Sequence, residues 1–148
     1  MTLKYAKIRD VKNPIRAHAT DAGFDIFVPN DVGPFLLRKG DSVLIPSGLK
    51  LEVPNGYMLQ ACNKSGVASK KGLIFGAHII DAGYAGEYII NLHKITGEPV
   101  TVNPGDKIIQ LVLTPIENCD LQEVKENELY GGVKTERNEG GFGSTGNK

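Results

Sequence analysis

The sequence predicts an all-β fold with at most one short helix. Apolar and polar residues alternate over short runs, most clearly in GLKLEV (residues 48–53), and this period is typical of a half-buried strand. Gly, Pro, Asn or Asp bounds each run, at spacings that indicate a β-sandwich or a β-barrel. Helical periodicity is nearly absent, and about ten short strands are expected.

The predicted strands follow one another along most of the chain. In order they are FDIFV (24–28), SVLIP (42–46), GLKLEV (48–53), YMLQAC (57–62), EYIINL (87–92), VTV (100–102) and KIIQLVL (107–113). The segment PNG (54–56) supplies the turn between the third and fourth of these runs. GVASKK (66–71) is the best helix candidate, and Ser65 is its expected N-cap.

The composition argues for one ordinary globular domain without a dominant charge. The 148 residues include 17 basic and 17 acidic side chains, which balance at neutral pH. A chain of this length can bury roughly 70% of its unfolded surface. No overall field steers it to nucleic acid or to a membrane, and neither partner is expected. Any anion must therefore be held by a local site.

Two features predict a soluble, cytoplasmic protein. Cys62 and Cys119 fit neither a metal-binding spacing nor a disulfide framework, and we expect free thiols in a reducing compartment. The N-terminal MTLKYAKIRD lacks the apolar stretch of a signal peptide, and no apolar run approaches the length of a membrane span.

Four segments carry more chemistry than a simple connection requires. They are ATDAGFDIFVP (19–29), NKSGVA (63–68), IIDAGYAGE (79–87) and PGDKIIQLVL (104–113). NKSGVA places a cation, a hydroxyl and a glycine at a short helix start, which suits phosphate binding. Taken singly each segment is weak evidence, because Asp-Ala-Gly is ordinary turn chemistry and Lys-Ser-Gly lacks the spacing of a P-loop.

The chain ends in RNEGGFGSTGNK (137–148), which is too rich in glycine to fold alone. A frayed terminus is the simplest interpretation. The single Phe and the two hydroxyl side chains make a functional segment the alternative. On that alternative the chain divides into a β domain over residues 1–136 and a flexible arm over residues 137–148.

Five segments, in one order, resemble the five motifs of the trimeric dUTPases (deoxyuridine triphosphate nucleotidohydrolases). They are ATDAGFDI, NKSGVA, IIDAGYAGE, GDKIIQL and RNEGGFGSTG, which together reach from residue 19 to residue 146. One such motif is weak, but five in order are specific. The resemblance implies a distorted jelly-roll of the dUTPase-like β-clip type, a homotrimer with active sites shared between subunits, and Mg²⁺-dependent hydrolysis of dUTP to dUMP and pyrophosphate.

The resemblance also gives the C-terminal arm a role, which is to close over nucleotide bound in a neighbouring subunit's site. Phe142 would stack on the uracil, and Gly143 would let the backbone approach the phosphates. Ser144 and Thr145 would offer hydroxyls to the terminal phosphate. Arg137 would add a charge-assisted contact as the arm docks.

The same resemblance implies the chemistry. Asp81 would orient and deprotonate the water that attacks the α-phosphorus. Asp25 would bond to waters on a Mg²⁺ that the triphosphate itself holds, so no direct protein ligand to the metal is expected. Tyr84 would pack flat against the deoxyribose and exclude a 2′-hydroxyl. The other implied contacts are to the phosphate chain (Lys64, Ser65, Gly66, Gln110) and, through backbone groups, to the uracil edge (Ala77, Ile79, Ile80).

Several positions depart from the family pattern. Lys64 and Lys107 stand where Arg is usual, which keeps the charge and loses the bidentate fork. Ala85 replaces a common Arg. His78 occupies a position that is usually small, near the expected base, and it either points outwards or reshapes the uracil pocket.

Two other functions are weighed against this one. The dCTP deaminases share the fold, but their catalytic Glu would fall at Asn91, which cannot shuttle a proton as a carboxylate does. A non-catalytic jelly-roll binding protein is the alternative from another class. It gives no reason for Asp81, Tyr84, Gln110 and Arg137 to occur together.

Overall fold

Strands dominate the fold, as the sequence predicts. The computed structural model describes residues 1–141, and it contains one α-helix, α1 (Ser65–Lys71), in that part of the chain. Phe142, Gly143, Ser144 and Thr145 lie outside the described residues. The strands are β1 (Lys4–Lys7), β2 (Gly23–Phe27), β3 (Phe35–Leu37), β4 (Ser42–Pro46), β5 (Leu49–Glu52), β6 (Tyr57–Asn63), β7 (Leu73–Phe75), β8 (Ile79–Ile80), β9 (Ile89–Lys94), β10 (Val100–Val102) and β11 (Lys107–Pro115).

The strands pair antiparallel in two larger sheets and two ribbons. One sheet has the order β2-β11-β6-β8 and the other the order β4-β9-β7, while β1 pairs with β5 and β3 with β10. The long strand β11 is central, because it pairs with β2 on one side and with β6 on the other. Residues that the sequence separates widely therefore meet across β11.

A core of aliphatic side chains lies between these elements. Alternation along the strands supplies it: in β9 the side chains of Ile90 and Leu92 are buried, while those of Ile89, Asn91 and His93 are half-buried on the opposite face. The largest fully buried side chains are Ile26, Ile45, Leu49, Leu59, Leu73, Ile90, Leu92, Ile108, Ile109 and Leu111. Burial of a side chain of this size stabilises the fold by about 1.5–3 kcal/mol.

The helix begins one residue earlier than the sequence predicts. Lys64 takes the N-cap position with extended backbone and makes no side-chain cap, and Ser65 is the first helical residue. The prediction of Ser65 as N-cap is therefore wrong, and the Lys64 side chain forms an ion pair with Asp25 instead of capping the helix. Gly72 ends the helix in the left-handed conformation, and its N–H bonds back to the carbonyls of Ala68 and Val67.

The described residues divide into two compact units, one of residues 1–117 and one that begins at Asn118. In the second, a short 3₁₀ segment (Glu126–Gly132) is an element that the sequence does not predict. Large apolar side chains of this unit are exposed, among them Leu121, Leu129, Tyr130 and Val133. No helix within residues 1–141 is long and apolar enough to cross a membrane.

Candidate active site

A buried carboxylate, shared by two lysines, forms the first group of functional side chains. Asp25 on β2 is only 6% exposed. It forms an ion pair with Lys64, and its Oδ2 lies 2.9 Å from Nζ of Lys107. We call these three residues, with Gln110, the Asp25 cluster. In this cluster two partly exposed ammonium groups surround one carboxylate, so its net charge is positive. Such a cluster suits a ligand with several negative charges.

The register of β11 explains why the Asp25 cluster assembles. Gln110 is paired with Asp25 on one side and with Cys62 on the other, two residues before Lys64. A shift in the β11–β2 register between Lys107 and Ile109 marks a bulge, which re-aims the side chain of Lys107 at the neighbouring strand. The Gln110 side chain donates from Nε2 to the carbonyl of Asn63, 3.3 Å away.

The electrostatics of Asp25 follow from these partners. Burial by itself raises the pKa of the Asp25 carboxyl, but the hydrogen bonds and the charges of Lys64 and Lys107 together outweigh it and hold that pKa below its ordinary value. The carboxylate therefore stays ionised at neutral pH. Ser65 and Gly66 lie next to this cluster as the exposed first residues of α1.

A small cavity forms the second group of functional side chains. Residues 76–81, which follow β7 and include β8, make one wall; we call this segment the hairpin and the space the hairpin cavity, although β7 pairs with β9 and β8 with β6 and the two do not pair with each other. The volume of the cavity is about 230 Å³, and it is lined by Ala77, Ile79, Ile80, Asp81, Tyr84, Tyr88 and Ile89. The structure thus brings five of the predicted site residues together around one space. Among the described residues, the lining combines apolar side chains with one carboxylate, that of Asp81.

The side chain of Tyr84 is held in a defined orientation. Its hydroxyl donates to the carbonyl of Glu87 at 3.0 Å. A Cβ on Gly86 would collide with that hydroxyl, so only glycine leaves room for the ring. The carboxylate of Glu87 is held in turn, because its Oε1 accepts from Nε of Arg9 at 3.0 Å and from the N–H of Gly48 at 2.8 Å.

A larger, open cavity of about 670 Å³ lies beside β1 and β5. Tyr84 is the one predicted site residue among its described lining, together with its neighbours Gly83 and Ala85. Size alone would favour this cavity. The chemistry favours the hairpin cavity, which contains Asp81 and the backbone of the hairpin.

His78 points away from the hairpin cavity. The side chain is exposed, it does not line the cavity, and ring Nδ1 lies 2.8 Å from the carbonyl of Gly76. A carbonyl oxygen only accepts, so Nδ1 carries the hydrogen. The outward orientation that the sequence left as one of two possibilities is the one observed.

Within one chain the two groups of residues are well separated along β6. Leu59 of β6 is paired with Ile80, while Asn63, next to the Asp25 cluster, lies four residues further along that strand. Four residues of a strand span about 13 Å. Asp81 follows Ile80 in the direction away from Asn63, because β8 runs antiparallel to β6. One chain therefore does not bring Asp81 beside Lys64 and Gln110.

Arg137 belongs to the second compact unit. Its Nε donates to the carbonyl of Gly140 at 2.9 Å, and the N–H of Gly140 returns a bond to the carbonyl of Arg137. The two bonds close a tight loop at the start of the glycine-rich segment. The residues predicted to contact the base and the phosphates, Phe142 to Thr145, lie beyond the part of the chain described.

No three His, Cys, Asp or Glu side chains within residues 1–141 are grouped so as to hold a metal ion. Asp25 fits a metal held by the ligand. An ionised carboxylate has about four acceptor positions. Lys64 and Lys107 occupy two of them, so Asp25 can still accept hydrogen bonds from waters on a bound Mg²⁺.

Sequence reasoning misses the residues that support the site. Glu87 and Arg9 orient Tyr84 and are 78 positions apart, so no local pattern connects them. Tyr88 falls in a predicted strand, yet its buried hydroxyl has no hydrogen-bond partner among the residues described. Asn91 enters the sequence argument only as a missing carboxylate, whereas its side chain binds the hairpin backbone at Ala77.

Comparison with known proteins assigns the family. A family model described as dUTPase matches residues 9–146. A deoxyuridine 5′-triphosphate nucleotidohydrolase of Bdellovibrio bacteriovorus is 42% identical over 127 residues, which cover 84% of this chain and 81% of that protein.

Solved structures agree with that assignment. The dUTPase of Staphylococcus bacteriophage 80alpha, solved with dUPNHPP, has a TM-score of 0.83 and 31% identity, and the match covers 98% of each chain. A mutant of the dUTPase from phage phi11 of S. aureus has a TM-score of 0.77 and 29% identity over 86% of this chain and 99% of that one, and its structure reveals the coordination of a structural Mg(II) ion. The predicted jelly-roll is confirmed, and the chain belongs to the dUTPase family.

Proposed function

We propose that this protein hydrolyses dUTP to dUMP and pyrophosphate, which limits uracil in DNA and supplies dUMP for dTMP synthesis. The observation that carries the proposal is the hairpin cavity. It places one carboxylate, Asp81, and one oriented aromatic ring, Tyr84, against a wall of hairpin backbone. A nucleoside with a flat base and a sugar lacking a 2′-hydroxyl fits that combination.

Asp81 is the proposed general base. Water adds to the α-phosphorus, its proton passes to the Asp81 carboxylate, and the bond from the α-phosphorus to the bridging oxygen breaks, so that pyrophosphate leaves with the bonding electron pair. The Asp81 side chain is exposed at the cavity, where it can receive a water molecule. A positioned general base contributes about 10²–10⁴-fold to such a rate.

The Asp25 cluster is the proposed phosphate site. Its two ammonium groups and the Gln110 amide offer hydrogen-bond donors to the triphosphate. Ser65 and Gly66, the exposed first residues of α1, offer further donors. Phosphoryl transfer depends mainly on positioning and on stabilisation of spread negative charge. Lysines held by a fixed carboxylate meet both needs.

Asp25 is the residue proposed to meet Mg²⁺, through water molecules and not directly. When bound, Mg²⁺ supplies neutralisation of charge on the phosphate oxygens. Asp25 keeps its carboxylate ionised for this contact because its pKa is lowered. The related phage phi11 protein coordinates a structural Mg(II) ion, and use of the metal by this chain is part of the proposal.

We propose that the two groups of residues meet across subunits of a homotrimer. Their separation of about 13 Å along β6 within one chain supports this arrangement. Exposed apolar side chains of the second unit, such as Leu121 and Tyr130, are available to pack on a neighbour. The segment from Arg137, with Phe142, Gly143, Ser144 and Thr145, is the proposed arm that closes over bound nucleotide.

The supporting chemistry also favours this function over deamination. The Oδ1 atom of Asn91 accepts hydrogen bonds from the backbone N–H of Ala77 and from the ring N–H of His93. The side chain at this position therefore supports the hairpin, and it has no carboxylate that could shuttle a proton in a deamination. Both cysteines are free, which suits the cytoplasmic location included in the proposal.

The test is release of pyrophosphate from dUTP, dCTP, dTTP and UTP in the presence of Mg²⁺, with ammonia release from dCTP measured in parallel. Turnover of dUTP alone is expected. Ammonia release without pyrophosphate would replace the proposal with a deaminase, and no turnover of any nucleotide would leave a binding protein.

A further inference from the structure

Two side chains of β9 hold the hairpin loop from behind. The Oδ1 atom of Asn91 lies 3.3 Å from the backbone nitrogen of Ala77 and 2.9 Å from the ring Nε2 of His93. The backbone of Asn91 adds a second contact, because its carbonyl accepts from the N–H of Gly76 at 2.9 Å.

The direction of each hydrogen bond can be assigned. The N–H of Ala77 can only donate, so the atom facing it must be the oxygen of the Asn91 amide and not its nitrogen. That oxygen cannot donate to the ring. The hydrogen of the His93–Asn91 contact therefore sits on Nε2 of His93, and the ring locks the amide in the orientation that receives Ala77.

Gly76 is required for this close approach. A Cβ at Gly76 would collide with Oδ1 of Asn91 and would lie 2.7 Å from Nε2 of His93. Any larger residue would displace these two side chains or the hairpin, and either shift would break the contact. The three residues therefore act as one unit, which we call the hairpin lock (Gly76, Asn91, His93).

The hairpin lock lies directly behind a wall of the hairpin cavity. Ala77, which the lock holds, lines the cavity. Ile89 also lines it, and Ile89, Asn91 and His93 lie on one face of β9 because side chains alternate along a strand. A shift of the lock would thus move the cavity wall.

We propose that Asn91 and His93 are positioning residues that set base selectivity by fixing the backbone at Ala77. This inference rests on the proposed function, in which the hairpin backbone reads the base. Uracil presents an acceptor where cytosine presents an amino donor. Backbone groups can tell these patterns apart only if they are held at a fixed depth, since one hydrogen bond mispaired by a shift leaves a buried group unsatisfied.

The first test compares matched pairs of variants. Asn91→Ala removes the acceptor and Asn91→Asp keeps it, while His93→Phe removes the ring donor and His93→Gln retains an N–H in a similar place. Asn91→Ala and His93→Phe are expected to lower the ratio of kcat/KM for dUTP over dCTP about five- to tenfold, through KM for dUTP, with kcat within about twofold. The conservative partners should keep most of the selectivity.

The second test needs no turnover. Hydrogen exchange of a peptide covering residues 73–81 should become about tenfold faster in Asn91→Ala and His93→Phe, and remain near the parental rate in the conservative variants. Leu44→Ala is the control, because Leu44 is the cross-strand partner of Asn91 and is exposed to solvent.

Each outcome decides one of the two claims. Unchanged exchange in Asn91→Ala and His93→Phe would overturn the hairpin lock. Faster exchange with unchanged selectivity would overturn its link to the base, as would an equal loss in the conservative variants. If the parental protein releases no pyrophosphate from dUTP, the proposed function fails, and the exchange data alone then decide whether the lock holds the hairpin. A variant that fails to fold leaves the decision to the other pair.

Discussion

Asp25 shows how one buried carboxylate can organise a site for anions. The side chains of its two partners, Lys64 and Lys107, are partly exposed, whereas the Asp25 side chain is buried. The carboxylate is therefore held in place while the two ammonium groups reach solvent. Asp25→Asn should lose the charge and leave two ammonium groups to repel each other. We expect a loss of about 1–3 kcal/mol in the free energy of unfolding, measured by urea denaturation at neutral pH.

The pH dependence of the same residue follows from its lowered pKa. A carboxyl whose pKa is lower in the folded protein stabilises the fold above its unfolded pKa, about 3.9 for Asp. That contribution is lost as the pH falls through the lowered folded value. The difference in stability between the parental protein and Asp25→Asn should therefore be constant from about pH 5 to pH 7 and shrink below about pH 4. A difference that does not change with pH would contradict the assignment.

The orientation of Tyr84 depends on the hydrogen bond of its own hydroxyl and on the absence of a side chain at Gly86. Tyr84→Phe removes the bond to the Glu87 carbonyl, and Gly86→Ala displaces the ring. Both changes should weaken rejection of UTP. We expect the ratio of kcat/KM for dUTP over UTP to fall about tenfold in Tyr84→Phe and further in Gly86→Ala. Equal selectivity for dUTP over UTP in the parental protein and both variants would show that Tyr84 does not exclude the 2′-hydroxyl.

Tyr88 is a buried residue whose hydroxyl makes no hydrogen bond with the described residues. The residue is 5% exposed, its hydroxyl lacks a hydrogen-bond partner among the described residues, and burial raises the pKa of that hydroxyl. Tyr88→Phe should keep the packing and remove the desolvated polar atom. Thermal denaturation should show unchanged stability or a gain of up to about 1 kcal/mol. A clear loss would reveal a hydrogen bond to a buried water.

At the scale of elements, strand β9 supports both groups of candidate site residues within one chain. Asn91 accepts from the hairpin at Ala77 and is itself bonded by His93, while Lys94, only 2% exposed, donates from Nζ to the carbonyls of Lys71 and Thr96. Those bonds satisfy the last carbonyl of α1, whose first residues are proposed to bind phosphate. In the proposed trimer the strand therefore supports the base-binding part of one active site and the phosphate-binding part of another.

Lys94→Met keeps the aliphatic stem and removes the ammonium group. The carbonyls of Lys71 and Thr96 would lose their donor, which should cost about 1–3 kcal/mol in unfolding free energy. Hydrogen exchange should increase first at the C-terminal turn of α1. Protection that stays unchanged in that turn would show that the Gly72 cap alone holds the helix end.

All seven strands predicted from the sequence form, whereas four short strands among the described residues, β1, β3, β7 and β8, escape prediction. β4 and β10 have the predicted bounds, and β6 and β11 extend the predicted runs, because each carries an apolar pattern on at least one face. β1 (KYAK) escapes prediction because all four of its residues are exposed. No burial pattern marks such a strand, and pairing with β5 alone defines it.

The candidate site shows the same limit in another form. The motifs identify Asp81, Tyr84 and the hairpin, which line one cavity. They cannot show that the Asp25 cluster lies apart from that cavity, since the distance depends on the register of β6 with β8 and β11. Nor can they reveal that Asn91 and His93 support the hairpin, because hydrogen bonds between strands leave no local pattern.

For the whole molecule, the proposal predicts a trimer of about three times 16.0 kDa by light scattering. Subunits of Asp81→Asn and Lys64→Ala, each inactive, should complement each other when they are unfolded together and refolded at equal amounts. Random mixing gives about a quarter of the sites a wild-type Asp81 and a wild-type Lys64 from different subunits. No recovery of activity would place both residues in one chain's site.

The proposed arm makes a separate prediction. Removal of residues 138–148 should leave the trimer intact and lower kcat/KM for dUTP by at least about tenfold, because the contacts of Phe142, Ser144 and Thr145 are lost. Light scattering and pyrophosphate release measure the two effects. Full activity after truncation would show that the arm is not needed for hydrolysis of dUTP.

The most direct test of the central claim is the turnover of dUTP by Asp81→Asn beside the parental protein. The change keeps the shape of the side chain and removes the base. We predict that kcat falls by about 10²–10⁴-fold, while binding of dUTP, measured by calorimetry, stays within about threefold. Turnover by the variant at the parental rate would contradict the assignment of Asp81 and, with it, the proposed mechanism.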